Sequence, residues 1–353
     1  MSILVINSGS TSFKYKLFDD NNAEIKGNTF SEFTDSSQAV KRALKEINDL
    51  RGISAIGHRV VHGGDEFIKP EIINDEKLTK LEKYNELAPL HNPYNLAGIK
   101  EMMDYFPDVP QVAVFDTAFF AALPDIARTY ALPLDLTKRL NIKRYGFHGI
   151  SHEFIAQEAV HELNKDINKI NLISCHLGGG WSIAAIRNGK PIDVSMGWTP
   201  LEGLVMMTRA GDLDPGIIIK LVKDQEEHNG ENALENVYKL LNYESGVKGV
   251  SGGVDNFKDL LKEMNFGNEK AKLAFDLAVY RLRKYIGAYW AVLEGNIDAV
   301  VFTGSIGSGD PITRNSVMGK LKFLGNVPVL AIKTNEELMI AREVRQLLDI
   351  QTG

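Results

Sequence analysis

A single cysteine, Cys175, stands in a chain of 353 residues, so no disulfide can form within it. That excludes the cross-linked scaffolds of small secreted proteins and suits a reducing compartment; the cytoplasm is the expected location. Long apolar runs are missing as well. None approaches the roughly 20 residues that span a bilayer, and the opening "ILVI" is too short for the apolar region of a signal peptide before Asn7 and Ser8 end it. Charge of one sign is not in excess: the formal net charge is -6, with acids and bases interspersed, so no basic face advertises nucleic acid. Low-complexity stretches and obvious linkers are absent too. What remains, 44% hydrophobic and 24% charged residues, is the composition of a soluble globular protein. The length exceeds one ordinary core and predicts two closely joined domains.

What is present is one unit built twice. "ILVINSGSTSFKYKLFDD" runs from a continuous apolar strand, Ile3 to Ile6, through a Gly/Ser turn into a strand where Phe13, Tyr15 and Leu17 alternate with polar residues. "NLISCHLGGGWSIAAIRNG" follows the same design in mid-chain. Asn7 and Leu177 lead into the two turns, Ser12 and Ser182 follow them, and both pairs are offset by 170 residues. An internal duplication is the simplest account. Between and beyond these units, "AIGHRVV" and "QVAVFD" read as strands. Ala39, Val40, Ala43, Leu44 and Ile47 form a helical stripe, and Ile155, Ala156, Ala159 and Leu163 form another after Ser151, a candidate N-cap. A long helix is expected from about Glu269 to Leu293 and a last one from near Asn335, while "DAVVFTGSIGSG" is a third strand entering a glycine turn.

Glycine turns after strands can expose backbone N–H groups to an anion, although hairpins need glycine anyway. Two equivalent turns and a third suggest a polyphosphate site. In "GHRVVHGGDEF", His58 and His62 lie on a predicted strand, where four residues span about 13 Å, too far to share a metal. Arg59 beside them is either a bidentate anion ligand or an ordinary ion pair. Cys175 and His176 point to opposite faces of a strand and cannot act as a pair, so Cys175 reads as core. His148 in "YGFHGISH" is either structural or functional. In "TPLEGLVMMTRAGDLDPG", Met206 and Met207 look like core, while Arg209 sits in a polar loop with Thr208, Gly211, Asp212 and Asp214. Glu336 fits a helix N-terminal acid favoured by the dipole.

Together "VINSGSTSFKY", "GHRVVHGG", "APLHNPYN", "VAVFDTAF", "YGFHGISHEF", "DVSMGWTPLEGLVMMTRAGDLDPG" and "TNEELMIAR" resemble the acetate kinase family, from Ile3 to about Arg342. The resemblance implies an α/β fold, the duplicated actin-like (ribonuclease H-like) kind, with two facing domains and a cleft between them. Residues 1–120 with 339–353 would form the first domain. Residues 121–338 would form the second, which binds nucleotide and builds a homodimer. It also implies reversible transfer of the ATP γ-phosphoryl group to acetate, with Mg²⁺ or Mn²⁺. Asn7 and Glu336 match the metal-site residues, and Arg59 and Arg209 the arginines that bracket the transferring group. His148 matches the histidine on its equatorial oxygens, and Asp116 the essential aspartate. His91 and His176 match further active-site histidines. Val61, Leu90, Phe147 and Pro200 match the pocket for the acetate methyl group. Lys14, Leu177 and the three glycine-rich or adenosine segments match the nucleotide side.

The departures from the family pattern gather on that nucleotide side. Gly178-Gly179-Gly180 stands where glycine-asparagine-glycine is usual, as in the related butyrate kinases. Asn256-Phe257-Lys258 replaces aspartate-phenylalanine-arginine, and Ser305-Ile306-Gly307-Ser308-Gly309 replaces glycine-isoleucine-glycine-glutamate-asparagine. The stretch from there to "TNEELMIAR" is shorter than usual, and Phe120 occupies a position where histidine is common. These leave open a propionate or butyrate acceptor, a donor such as pyrophosphate, or a silent binding protein on the same fold. A carboxylate is already ionised at pH 7, so phosphoryl transfer to it needs alignment and charge neutralisation rather than a general base.

Overall fold

Burial of Ile3, Leu4, Val5 and Ile6 on both faces puts strand β1 (Ser2–Ser8) in the middle of a sheet, as its unbroken apolar run demands. The computed structural model describes residues 2–9, 12–31, 36–47, 52–89, 91–229 and 232–352. Ten further strands follow: β2 (Ser12–Phe18), β3 (Glu24–Ser31), β4 (Ile53–Val60), β5 (Glu71–Ile72), β6 (Gln111–Phe115), β7 (Leu172–Leu177), β8 (Trp181–Arg187), β9 (Lys190–Val194), β10 (Ala299–Thr303) and β11 (Val329–Ala331). The chain divides into two compact units. The first contains Met1–Ala121, Phe147–Phe154 and Asn335–Gly353; the second contains Ala122–Gly146 and Ile155–Thr334.

Each unit holds one sheet, and the two sheets share a topology. In the first the order is β3-β2-β1-β4-β6-β5, with β1, β2 and β3 antiparallel and β4 and β6 parallel to β1. In the second the order is β11-β10-β7-β8-β9, with β7, β8 and β9 antiparallel and β10 and β11 parallel to β7. The duplication expected from the two glycine turns is therefore real at the level of whole sheets. The constant offset of 170 is not. Asn7 pairs with Lys14 across its hairpin, whereas Leu177 pairs with Trp181. The second turn is shorter, so no single offset maps both strands.

Local chemistry explains the turns and caps. Arg187 pairs with Lys190 across Asn188 and Gly189, both at positive φ (52° and 71°), the two-residue turn whose twist matches antiparallel strands. Ser151 is not an N-cap. The helix Gly149–Leu163 begins two residues earlier, and Ser151 is buried inside its first turn. The expected third glycine turn is instead a short helical turn, Gly304–Gly307, entered directly from β10.

Among the helices that pack on the first sheet, two hold the strand ends and the site. In Asn92–Tyr105, the Asn95 side chain donates to the Ser8 carbonyl (2.6 Å) and accepts from the Val61 N–H (3.1 Å), tying the ends of β1 and β4 together. The helix Glu336–Thr352 lies so close that a Cβ on Gly57 would stand 2.7 Å from Ile340 Cγ2. Against this helix, Phe154 packs under the Arg342 guanidinium at 5.4 Å. Neighbouring Glu153 is half-buried beside Glu343; its withdrawal from water and that second acid together push its carboxyl up to about 8.

Candidate active site

The parallel pairing of β1, β4 and β6 aligns Ile6 with His58 and Val60 with Phe115. Asn7, Arg59 and Asp116 consequently emerge at the carboxyl ends of three adjacent strands, where open α/β sheets hold their ligands. Arg59 is no surface residue: its side chain is 17% exposed. Its Nη2 donates to Asp116 Oδ2 at 2.7 Å, its Nε lies 3.3 Å from Asp116 Oδ1, and its Nη1 meets Glu336 Oε2 at 3.1 Å. Burial works against the guanidinium charge, but the two carboxylates outweigh it and hold Arg59 protonated. Burial drives the Asp116 carboxyl up to about 6, with Glu336 adding and Arg59 opposing. The group is a cation locked between two acids, poised rather than free to swing.

Lys14 on β2 pairs with the buried Glu337 at 2.7 Å, next along the helix from Glu336. The sequence reading named Lys14 but missed its partner, because the two are 323 positions apart. His148 adopts a left-handed backbone (φ 60°), an uncommon conformation for a residue with a side chain. It is held there by Gly149, whose N–H donates to the Asp116 carbonyl at 2.9 Å and whose Cα leaves no room for a Cβ. Val61 and Phe147 are both buried, and the His62 ring between Val61 and Gly63 in sequence meets Phe147 edge-on at 5.5 Å. His91 precedes the helix Asn92–Tyr105. Leu90 lies outside the described residues. His58 does not approach a metal; it bonds Gln111 at 2.8 Å, and burial lowers its pKa to about 4, leaving it neutral.

In the second unit, His176 on β7 pairs in register with Thr303 on β10, so the turn Gly178–Gly180 and the turn Gly304–Gly307 leave neighbouring strand ends. Gly304 (φ 79°) must be glycine, since a Cβ would stand 2.4 Å from the Leu177 carbonyl oxygen; Gly179 has nothing within 4 Å. The Met207 N–H donates to the Gly179 carbonyl (3.4 Å), joining this turn to the loop that carries Pro200 and Arg209. Arg209 is half-buried beside Met206 Sδ (3.9 Å), and burial lowers its pKa against the pull of Tyr238 and Tyr243. Met206, Met207 and Cys175 are core, as expected. Phe257 packs on Trp181 (6.2 Å), whose indole N–H donates to the Gly178 carbonyl. The Asn256 oxygen is spent capping its helix, accepting from the Lys258 N–H at 2.8 Å, while the Lys258 side chain is exposed. Ile306 and Gly307 are buried, Ser305 and Gly309 exposed, and Ser308 Oγ bonds back to the Gly304 carbonyl.

Among the described residues no group of three or more His, Cys, Asp or Glu side chains is placed to hold a metal. Asn7 and Glu336 offer hard oxygen donors, on β1 and on the helix that packs against it. That set fits an ion such as Mg²⁺, which takes one or two protein oxygens and keeps its waters. No helix among the described residues is long and apolar enough to cross a membrane.

The sequence model of the acetokinase family matches residues 20–328. An acetate kinase from Symbiobacterium thermophilum is 42% identical over 401 aligned positions, covering 99% of each chain. That span exceeds the 353 residues here, so the relative carries internal segments that this chain lacks. The crystal structure of Porphyromonas gingivalis acetate kinase superposes with a TM-score of 0.87 at 35% identity, covering 98% of this chain and 99% of that one. A propionate kinase from Francisella tularensis does so equally well, with a TM-score of 0.87 at 35% identity, covering 97% and 98%. With its duplicated sheets and strand-end arginine already described, the chain belongs to the acetokinase family.

Proposed function

We propose that this chain transfers the γ-phosphoryl group of ATP reversibly to acetate, giving acetyl phosphate and ADP. The observation that carries this reading is Arg59, half-buried, charged and fixed by Asp116 and Glu336 at the carboxyl ends of the parallel strands. An acetate oxygen attacks the γ-phosphorus; the new O–P bond forms as the bond to the β–γ bridging oxygen breaks, and that oxygen leaves on ADP. Acetate is already ionised at neutral pH, so no residue has to remove a proton. The work is neutralising and aligning charge. Arg59 and Arg209 supply cations to the transferring group, and His148 meets its equatorial oxygens. Asp116 keeps the Arg59 fork in one orientation. Asn7 and Glu336 would hold Mg²⁺, which when bound neutralises phosphate charge.

Val61, Leu90, Phe147 and Pro200 are proposed to receive the methyl group, with His91 beside the carboxylate. His176, the turn Gly178–Gly180, Asn256–Lys258 and Ser305–Gly309 are proposed to receive the nucleotide, with Lys14 on the phosphate side. A reducing cytoplasm suits the lone buried thiol, whose pKa burial raises. Homodimer formation is supported by exposed apolar side chains on the second unit: Leu132 and Trp198 line a hollow with Leu213 and Ile218.

Propionate is a second acceptor to weigh, because the Francisella propionate kinase is as similar in structure as the Porphyromonas acetate kinase. One misfit methylene in an apolar pocket changes kcat/KM by about 10- to 200-fold. Acyl phosphate formation with acetate, propionate and butyrate, at fixed Mg²⁺ and with ATP or pyrophosphate as donor, tests both readings. Acetate with ATP should give the highest kcat/KM. Higher kcat/KM with propionate moves the assignment to that acid, and no acyl phosphate with any pair overturns it.

A further inference from the structure

Residues 195–212 form the loop that follows β9 and carries Pro200 and Arg209, and a network of half-buried polar side chains braces it, with Arg144, Tyr130 and Tyr285 reaching in from outside the loop. At its start, Arg144 Nη1 donates to three successive carbonyls, those of Val194 (3.1 Å), Ser195 (3.3 Å) and Met196 (3.2 Å). The same guanidinium reaches Glu202 Oε1 through Nη2 at 2.6 Å. Tyr130 closes the arrangement: its hydroxyl donates to Glu202 Oε2 and accepts from the Trp198 N–H at 2.8 Å, while its ring lies under Arg144 at 5.4 Å. The fit leaves no space, since a Cβ on Gly197 would stand 2.1 Å from the Tyr130 oxygen. At the far end, Asp212 accepts from the Gly203 N–H (2.8 Å) and the Tyr285 hydroxyl (2.6 Å).

A loop that needed only stability could be held by apolar packing, which Leu204 and Met206 already supply. An ion pair that is only half withdrawn from water, as Arg144–Glu202 is, adds little to stability. What fully bonded networks do add is a single geometry. We propose that Tyr130, Arg144 and Glu202 are positioning residues for phosphoryl transfer, fixing the loop so that the Arg209 guanidinium is presented in one direction. The proposal rests on the reading in which Arg209 meets the transferring group, and the test separates the two.

Tyr130→Phe keeps the ring and deletes the hydroxyl that bonds both Glu202 and Trp198. Because a displaced catalytic group costs far more than it moves, kcat should fall about tenfold or more, with a smaller change in the KM for acetate. In an Arg209→Lys background the same substitution should cost less than about twofold, because the group being positioned has already lost its fork. A purely structural hydroxyl would cost the same factor in both backgrounds, and that result overturns the proposal. So does unchanged kcat in Tyr130→Phe. Unchanged kcat in Arg209→Lys alone overturns the assignment of Arg209 itself. Should Tyr130→Phe fail to fold, Tyr285→Phe loosens the other end of the loop and is read by the same cycle.

Discussion

At the scale of the residue, Arg59 is the group on which most depends, and two kinds of loss follow from removing it. On the proposed reading, Arg59→Ala deletes a cation that acts mainly in the transition state, so kcat should fall by at least about a hundredfold. It also leaves Asp116 and Glu336 facing one another without a counter-charge, which should cost about 3–5 kcal/mol in urea unfolding. Lysine restores charge but not the planar fork and should rescue kcat poorly. Near-wild-type kcat in a folded Arg59→Ala protein would refute the role given to it. Glu153 yields a prediction of opposite character. In the folded chain it keeps its proton to about pH 8, against 4.5 for an ordinary glutamate. The folded state therefore binds more protons than the unfolded across that window, and stability falls as pH rises through it. Glu153→Gln should be more stable than the native chain at pH 9 and equal to it near pH 4. Melting curves at the two pH values check this; a gain that does not depend on pH would point to packing instead. Motif strings singled out Asn7, Arg59 and Asp116, which the sheet brings to neighbouring strand ends. The left-handed His148 and the pairing of Lys14 with Glu337 were not legible, since each depends on a neighbour far away in the chain.

At the scale of the element, the strands were readable because their periodicity is a direct image of burial: continuous apolar in β1, alternating in β2. Turn lengths and helix starts were less so. They are set by which backbone groups find partners, which is why the offset of 170 failed and Ser151 fell inside its helix. The glycine turns separate into two types, and this can be measured. Gly304→Ala forces a side chain onto a carbonyl at positive φ and should destabilise the chain by more than about 1 kcal/mol. Gly179→Asn enters open space and should leave the melting temperature within about 1–2 °C while lowering the KM for ATP. A large loss of stability in Gly179→Asn would show that this turn, too, is packed. The adenosine segment leads to a further expectation. With the Asn256 oxygen committed to its cap and Lys258 in solvent, base recognition should be loose. GTP should then reach a kcat/KM within about tenfold of ATP, a difference of about 1.4 kcal/mol. An ATP preference near a thousandfold in the same assay would refute it.

At the scale of the whole molecule, the two units repeat one topology but differ in what they leave uncovered. The second exposes Leu132, Leu213, Ile217 and Ile218, a concentration of apolar side chains of the kind interaction surfaces carry. If a second copy covers it, the native chain should sediment at twice the chain mass, and Leu132→Glu with Ile218→Glu should sediment at the chain mass. A native chain that sediments as a single copy at micromolar concentration would remove the proposed homodimer. Sequence reading reached the duplication but not this asymmetry, because an exposed apolar residue and a buried one look alike in a string of letters. The first unit has a different peculiarity: it is assembled from three separated stretches of chain, and the helix Glu336–Thr352, with Glu336 and Glu337, lies in the last of them. A ribosome therefore delivers β1 to β6 long before the helix that covers them, with the entire second unit synthesised in between. During that interval Arg59 has Asp116 but not Glu336, and Gly57 faces water rather than Ile340. Arg59 gains its second carboxylate only when translation is nearly over, so a nascent chain interrupted before residue 336 exposes apolar sheet and leaves the proposed phosphoryl site unfinished.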